Sequence, residues 1–230
     1  MNESQPETAG SGAGRVGRTS RDGRPHCPRS GVPSAGKGFR VGKLALTFDD
    51  GPDPRWTARL LDVLGDANAR ATFFPIASRA AACPGLIDRI LAEGHEIGLH
   101  CDEHIRHSER SIECGRRDTA RALRLLASVG VRPKLWRTPW GDTASWSAQV
   151  ADENRLQIVG WTVDTHDWRG DTAGQMLRAT KDDLRDGAIV LAHDGIGPGA
   201  LRADARETID YTARVAEHAV AAGLELGTPS

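Results

Sequence analysis

The sequence predicts an α/β fold, a distorted (β/α)7-type barrel of parallel strands with outer helices, preceded by a disordered N-terminal tail. Two observations predict it. From Lys43 onward, short β-rich apolar runs alternate with longer segments of helical period, as in a parallel sheet covered by helices. Polar residues also follow five of these runs, and the carboxyl ends of barrel strands converge on one mouth, whereas an open sheet gathers only those near its switch point.

Seven apolar runs are the predicted strands: Leu44–Phe48, Ala71–Ile76, His95–Leu99, Lys134–Arg137, Gln157–Val163, Ala188–Ala192 and, more weakly, Leu224–Leu226. Helical period is clearest between them in four segments, which begin at Trp56, Leu86, Ala122 and Ile209. Glycine stands at several predicted helix ends, as expected for residues that leave a helix in the left-handed conformation: Gly65, Gly94, Gly130, Gly187 and Gly223.

Residues 1–42 are predicted to be a disordered leader. The segment is rich in Gly, Ser, Pro and Arg, has seven Lys and Arg against three Asp and Glu, and shows no apolar periodicity. It cannot bury enough surface to offset the entropy of ordering. Residues 43–228 are then expected to form a single domain, a length typical of one α/β barrel.

Composition and charge limit which partners and which cellular location are expected. A net charge of -1, with 39% hydrophobic and 27% charged residues, gives no support for a nucleic-acid partner. The leader has no apolar core of a secretory signal, and no segment approaches the ~20 apolar residues of a membrane span. We therefore expect a cytoplasmic protein, or an extracellular one only if the start site is misassigned.

The first strand runs directly into two adjacent carboxylates, Asp49 and Asp50, followed by Gly-Pro. Neighbouring carboxylates at the end of a buried strand repel each other and are costly to desolvate, so a compensating charge is expected. His100 and His104, four residues apart, follow about fifty residues downstream and suit a divalent metal. The pattern predicts a metal-dependent hydrolase.

Five blocks of the sequence resemble, in family order, the polysaccharide deacetylases of carbohydrate esterase family 4, the NodB-homology domain. Thr47-Phe-Asp-Asp-Gly-Pro52 is similar to the family's T-F-D-D-G-P, and His100-Cys-Asp-Glu-His104 to its H-x-x-x-H. Arg137-Thr-Pro-Trp-Gly141 resembles R-x-P-Y-G, with tryptophan for tyrosine. Asp164-Thr-His-Asp-Trp168 resembles D-x-x-D-W, and Leu191-Ala-His193 resembles L-x-H.

The resemblance implies a metal site and a general base. Asp50, His100 and His104 are expected to hold one divalent ion, with zinc as the first choice and cobalt or nickel as alternatives. Asp49 is expected to be the general base that activates water, and Arg137 to hold its carboxylate ionised through a forked hydrogen bond.

The resemblance also implies an acid and a substrate pocket. His193 would protonate the leaving amine, with Asp167 keeping its imidazole charged and oriented. A backbone N–H near Trp140 would help to stabilise the oxyanion, while Trp168 and Leu191 would enclose the acetyl methyl. The implied reaction is removal of an N-acetyl group from an acetylated amino sugar or polysaccharide, with release of acetate.

Several alternatives stay open at this point. Cys101 could supply a thiolate ligand, and His107 could replace His104 if the loop register shifts. Asp164 could be only a cap at the end of a strand. The substrate could instead be a small cytosolic metabolite or an O-acetyl ester, or the protein could be a non-catalytic carbohydrate-binding pseudoenzyme.

Overall fold

The computed structural model describes residues 42–229. The predicted leader, residues 1–42, and its Cys27 lie outside these residues except for Gly42, which begins the first strand. The described part of the chain contains eight strands: β1 (Gly42–Asp49), β2 (Thr72–Phe74), β3 (Glu96–Ile97), β4 (Leu135–Trp136), β5 (Gln157–Ile158), β6 (Val163–Asp164), β7 (Ile189–His193) and β8 (Leu224–Gly227).

Within residues 42–229, seven α-helices connect the strands: α1 (Trp56–Asp66), α2 (Ala77–Ala82), α3 (Pro84–Ala92), α4 (Ile112–Ser128), α5 (Ser147–Glu153), α6 (Ala173–Thr180) and α7 (Arg206–Ala222). The four segments with the clearest helical period are α1, α3, α4 and α7, as predicted. The shortest helices, α2 and α5, carry too few turns to show a distinct apolar stripe in the sequence.

All the strand pairings are parallel, which confirms the predicted α/β class. The order along the sheet is β3-β2-β1-β7-β6, and β8 pairs with the start of β1. The ladder continues past β3, because the N–H of Leu99 donates to the carbonyl of Leu135 (2.8 Å) and the N–H of Arg137 donates to Leu99 (2.9 Å). Within residues 42–229, no strand ladder joins β5 to β6. The parallel sheet is therefore curved but open on one side.

The strand predicted over Gln157–Val163 was wrong as one element. The structure has two short strands, β5 and β6, separated by residues 159–162. β5 pairs with β4, whereas β6 pairs with β7. The chain thus changes partners around Gly160, and the β-rich composition of the run does not reveal that change.

Strand β1 lies at the centre of the sheet and carries a predicted site residue, Asp49, at its carboxyl end. Its residues from Leu44 to Asp49 are all buried, and the strand has neighbours on both edges, β2 and β8 on one and β7 on the other. A strand buried on both faces reads as a continuous apolar run. In this register Asp49 lies opposite His193, the last residue of β7. Two polar residues 144 positions apart in the sequence therefore end neighbouring strands.

Candidate active site

A cavity of about 420 Å³ opens at the carboxyl ends of the strands. Its wall includes eight of the predicted site residues: Asp49, Asp50, His100, His104, Trp140, Trp168, Leu191 and His193. The two other predicted residues, Arg137 and Asp167, are buried behind Asp49 and His193. The fold thus brings all the predicted site residues together.

Asp50, His100 and His104 form the candidate metal centre. One ligand atom from each residue lies within 4.8 Å of the others, and the Nε2 atoms of His100 and His104 are 3.4 Å and 3.3 Å from Asp50 Oδ1. The Nδ1 of His100 is 2.7 Å from the carbonyl of Arg137. Because a carbonyl only accepts, Nδ1 carries the proton, and the Nε2 lone pair faces the centre. Two nitrogens and one carboxylate oxygen, with room beside them, are a donor set typical of catalytic zinc.

The electrostatics of these residues also fit a cation. Asp50 Oδ1 is buried and makes no hydrogen bond within the described residues. Burial opposes ionisation of Asp50, but its interaction with the nearby imidazoles, that of His100 foremost, outweighs burial and lowers the carboxyl pKa. Burial lowers the pKa of His104 to about 4, so its imidazole is neutral and free to ligate.

The two alternative ligands lie elsewhere. Burial raises the pKa of the Cys101 thiol well above its ordinary value, and the residue forms a backbone bridge with Ile76. His107 Nδ1 is 2.9 Å from Ser147 Oγ, and its ring stacks on Trp146 at 4.5 Å. Neither belongs to the ligand cluster found among the described residues. His104 is therefore the second histidine of the centre.

Asp49, the candidate base, is held by a buried arginine. Arg137 is 0% exposed, and its Nη1 donates to Asp49 Oδ1 at 3.0 Å and to Thr47 Oγ1 at 2.6 Å. Its Nη2 donates to the carbonyl of Gly160 at 2.8 Å. The prediction of a forked bond to Asp49 was wrong in this detail, because the second arm of the guanidinium is used to anchor the β5–β6 connection. One nitrogen is still sufficient to pair the carboxylate.

His193, the candidate acid, is paired with Asp167. Its Nδ1 is 2.7 Å from Asp167 Oδ1, and its backbone N–H donates to Asp167 Oδ2 at 3.0 Å. Burial disfavours the imidazolium, but the charge of Asp167, with those of Asp49 and Asp50, outweighs burial and raises the pKa of His193 to about 9. The ring is therefore protonated at neutral pH, with Nε2 available on the side away from Asp167.

Aromatic and apolar side chains complete the wall. Trp140 meets His104 edge to face, with ring centroids 4.5 Å apart, and its backbone is left-handed with φ of 60°. Trp168 and Leu191 both line the cavity, where Trp168 is 36% exposed and Leu191 is buried. Asp164 also lines the cavity, where its Oδ1 caps the backbone N–H of His166 at 2.8 Å. The assignment of the oxyanion N–H near Trp140 stays a prediction.

Sequence reasoning missed four residues that support the site. Asp118 on α4 accepts from the N–H of Glu103 at 2.8 Å and so holds the loop that carries His104. Asp194 is buried beside Gly51, and burial raises its pKa to about 7. Arg202 and Thr208 both contact Asp167 Oδ2. Apart from Asp194, which directly follows His193, none of them lies beside a motif, and their sequence surroundings carry no signal of the role.

The fold and the site together define the class, a parallel α/β sheet with a candidate catalytic metal centre at the carboxyl ends of its strands. The family model described as polysaccharide deacetylase matches residues 37–159. The chain belongs to the polysaccharide deacetylase family.

Individual relatives agree with this assignment. The peptidoglycan-N-acetylglucosamine deacetylase PgdA of Listeria monocytogenes is 37% identical over 71% of this chain, which spans about a third of that relative's length (34%). A chitooligosaccharide deacetylase of Sinorhizobium fredii is 37% identical over 74% of this chain and 79% of its own length. Among solved structures, a family 4 carbohydrate esterase from Streptomyces lividans in complex with acetate has a TM-score of 0.74 and 28% identity, covering 82% of this chain and 93% of the other.

Proposed function

We propose that this protein removes N-acetyl groups from acetylated amino sugars or polysaccharide by metal-assisted hydrolysis, releasing acetate. The observation that carries the proposal is the pairing of Asp49 with Arg137 and of His193 with Asp167 at one cavity, which Asp50, His100 and His104 also line. A carboxylate that can accept a proton and an imidazole that can donate one, both at the same cavity, are what amide hydrolysis requires.

Each group has one task in the proposed reaction. Asp50, His100 and His104 would hold the ion, and a divalent metal there supplies Lewis acidity toward a carbonyl and makes water more acidic. Asp49 accepts a proton from the attacking water as its oxygen bonds to the acetyl carbon. The C–N bond then breaks, and His193 Nε2 gives its proton to the departing nitrogen. Water and amide are converted to acetate and amine, and both side chains return to their starting states on proton exchange with solvent.

Zinc is the metal we propose, because two imidazole nitrogens and one carboxylate are its common catalytic set. Cobalt and nickel accept the same ligands and serve as comparison metals. Adding each ion to the metal-free protein and measuring acetate release ranks the three metals. Activity with magnesium alone would contradict this part of the proposal.

Acetate release from chitooligosaccharides and peptidoglycan fragments, with and without a chelator, tests the function. We expect chelator-sensitive release that is restored by metal. Asp49→Asn should abolish turnover while the metal content is unchanged, since Asp49 is not a ligand. Asp62→Asn, which changes a 65% exposed carboxylate on α1, is the matched control and should behave as wild type.

The alternative substrates are arms of the same experiment. Faster turnover of acetylated xylan or of a small N-acetyl metabolite would move the assignment to an esterase or to a metabolite deacetylase. Binding of chitooligosaccharide with no turnover on any substrate would support the carbohydrate-binding pseudoenzyme. Among residues 42–229, no helix combines the length and apolar character needed to cross a membrane. The cytoplasmic location stays a prediction.

A further inference from the structure

Arg202 is a buried cation that the proposed reaction does not yet use. It lies in the loop between β7 and α7, and its side chain is only 6% exposed, whereas that of Arg169 near the same cavity is 46% exposed. Burying an arginine is costly unless its charge is paired and its N–H groups find acceptors. The contacts of Arg202 therefore show what the fold uses it for.

Those contacts converge on the residues that hold the candidate acid. Arg202 Nη1 is 3.1 Å from Asp167 Oδ2 and also donates to Thr208 Oγ1. Its Nη2 donates to the carbonyl of His193 at 2.7 Å and to the carbonyl of Gly195 at 3.1 Å. One guanidinium thus contacts both the carboxylate that orients His193 and the backbone of His193 itself.

Both carboxylate oxygens of Asp167 therefore have partners. Its Oδ1 faces the His193 ring, while its Oδ2 accepts from the His193 N–H and from the Thr208 hydroxyl at 2.7 Å, beside the Arg202 charge. A carboxylate with partners on both oxygens cannot rotate about its Cβ–Cγ bond without breaking several bonds. Without the partners on Oδ2, the carboxylate could turn away from the imidazole.

We propose that Arg202, together with Thr208, is a positioning residue that fixes the Asp167 carboxylate and thereby keeps His193 aimed at the leaving nitrogen. This inference rests on the proposed function, because it assigns Arg202 to the proton-donating half of that reaction. Arg202 acts through Asp167 and the His193 backbone and takes no part in bond making. The proton still passes from His193 Nε2 to the amine.

The test compares two substrates whose leaving groups differ in whether they need a proton from a general acid. An N-acetyl sugar releases an amine, which must be protonated, whereas 4-nitrophenyl acetate releases a phenolate that leaves without a proton. Arg202→Met should lower kcat on N-acetylated chitooligosaccharide by about 10- to 100-fold with little change in KM, the scale of a misaligned general acid. The same variant should lose less than about 3-fold on 4-nitrophenyl acetate, where the acid contributes little.

Three further variants keep the test informative if Arg202→Met folds poorly. Arg202→Lys keeps the charge but loses the fork, and it should recover part of the amide activity. Thr208→Val replaces only the hydroxyl by a methyl group. Its activity should fall less than that of Arg202→Met, and again more on the amide than on the ester. Arg206→Met, an arginine on α7 that is 70% exposed and pairs with Asp204, is the control and should be unchanged.

Two results would overturn the inference while leaving the proposed function intact. One is wild-type amide activity in Arg202→Met and Thr208→Val. The other is an equal loss on amide and ester, which would indicate a merely structural arginine. Absence of chelator-sensitive acetate release from the wild-type protein would instead refute the proposed function.

Discussion

Replacing Arg137 by methionine is expected to destabilise the folded protein by about 3–5 kcal/mol, the usual cost of breaking a buried ion pair. Arg137 is 0% exposed, and its Nη1 lies 3.0 Å from Asp49 Oδ1. Methionine fills similar space but leaves the Asp49 carboxylate buried without a counter-charge. At 3.0 Å, Coulomb's law with an effective dielectric constant of about 20 gives an attraction of about 5–6 kcal/mol, so the expected loss lies within that bound.

A double-mutant cycle separates this electrostatic cost from lost packing. Asp49→Asn removes the buried charge, so Asp49→Asn/Arg137→Met should be more stable than Arg137→Met alone by about 2–4 kcal/mol. Urea unfolding of the four proteins, followed by circular dichroism, gives the free energies of unfolding. Arg116→Met is the control, because its pair with Glu153 is exposed and its removal should leave the urea midpoint unchanged.

The reasoning would be refuted if Asp49→Asn had the same effect in the wild-type and Arg137→Met backgrounds. Such additivity would mean that Arg137 and Asp49 do not interact energetically. The lower stability of Arg137→Met would then reflect its other lost contacts, among them the hydrogen bonds to Thr47 and Gly160.

Three other predictions concern pH and metal. The folded state raises the pKa of His193 to about 9, so its pairing with Asp167 stabilises the protein fully below a pH of about 6.5 and the stabilisation is lost as pH rises through about 9. Asp167→Asn should therefore move the alkaline limb of the kcat–pH profile to lower pH, and an unmoved limb would contradict the pairing. A Cβ on Gly197 would lie 1.9 Å from Asp50 Oδ2, whereas one on Gly85 would meet nothing within 4 Å, so Gly197→Ala should weaken zinc binding in calorimetry and Gly85→Ala should not. Zinc at about 100 times its Kd should stabilise the wild-type protein by about 2.7 kcal/mol in thermal unfolding. Asp50→Asn should lose most of that gain, and an equal gain in the variant would exclude Asp50 as a ligand.

The predictions that succeeded rest on local patterns. The run from Leu44 to Phe48 is apolar on both faces, so it predicts a central strand, and the carboxylates that follow must then lie at the strand's end. His100 and His193 also follow apolar runs. In a parallel sheet such ends share one edge, so the strand pattern alone places these side chains near one another.

The predictions that failed depend on contacts between distant segments. The β-rich run from Gln157 to Val163 does not show that its two ends pair with different strands. Likewise, the sequence cannot say that the Nη2 of Arg137 serves Gly160 and not Asp49, because that choice depends on where the β5–β6 connection passes.

The amino-acid sequence by itself determined the family and the central strand that ends at Asp49, because these are encoded in short segments of fixed spacing. The roles given to the base, the acid and the metal ligands stay predictions. Only the tertiary structure decided that His104 and not His107 joins Asp50 and His100 in the candidate metal centre, since the His107 ring stacks on Trp146 and its Nδ1 lies near Ser147 Oγ. Only the tertiary structure brought Arg202 and Thr208 onto Asp167. Those contacts join residues 35 and 41 positions from Asp167, and packing of the β7–α7 loop and the first turn of α7 around Asp167 creates them.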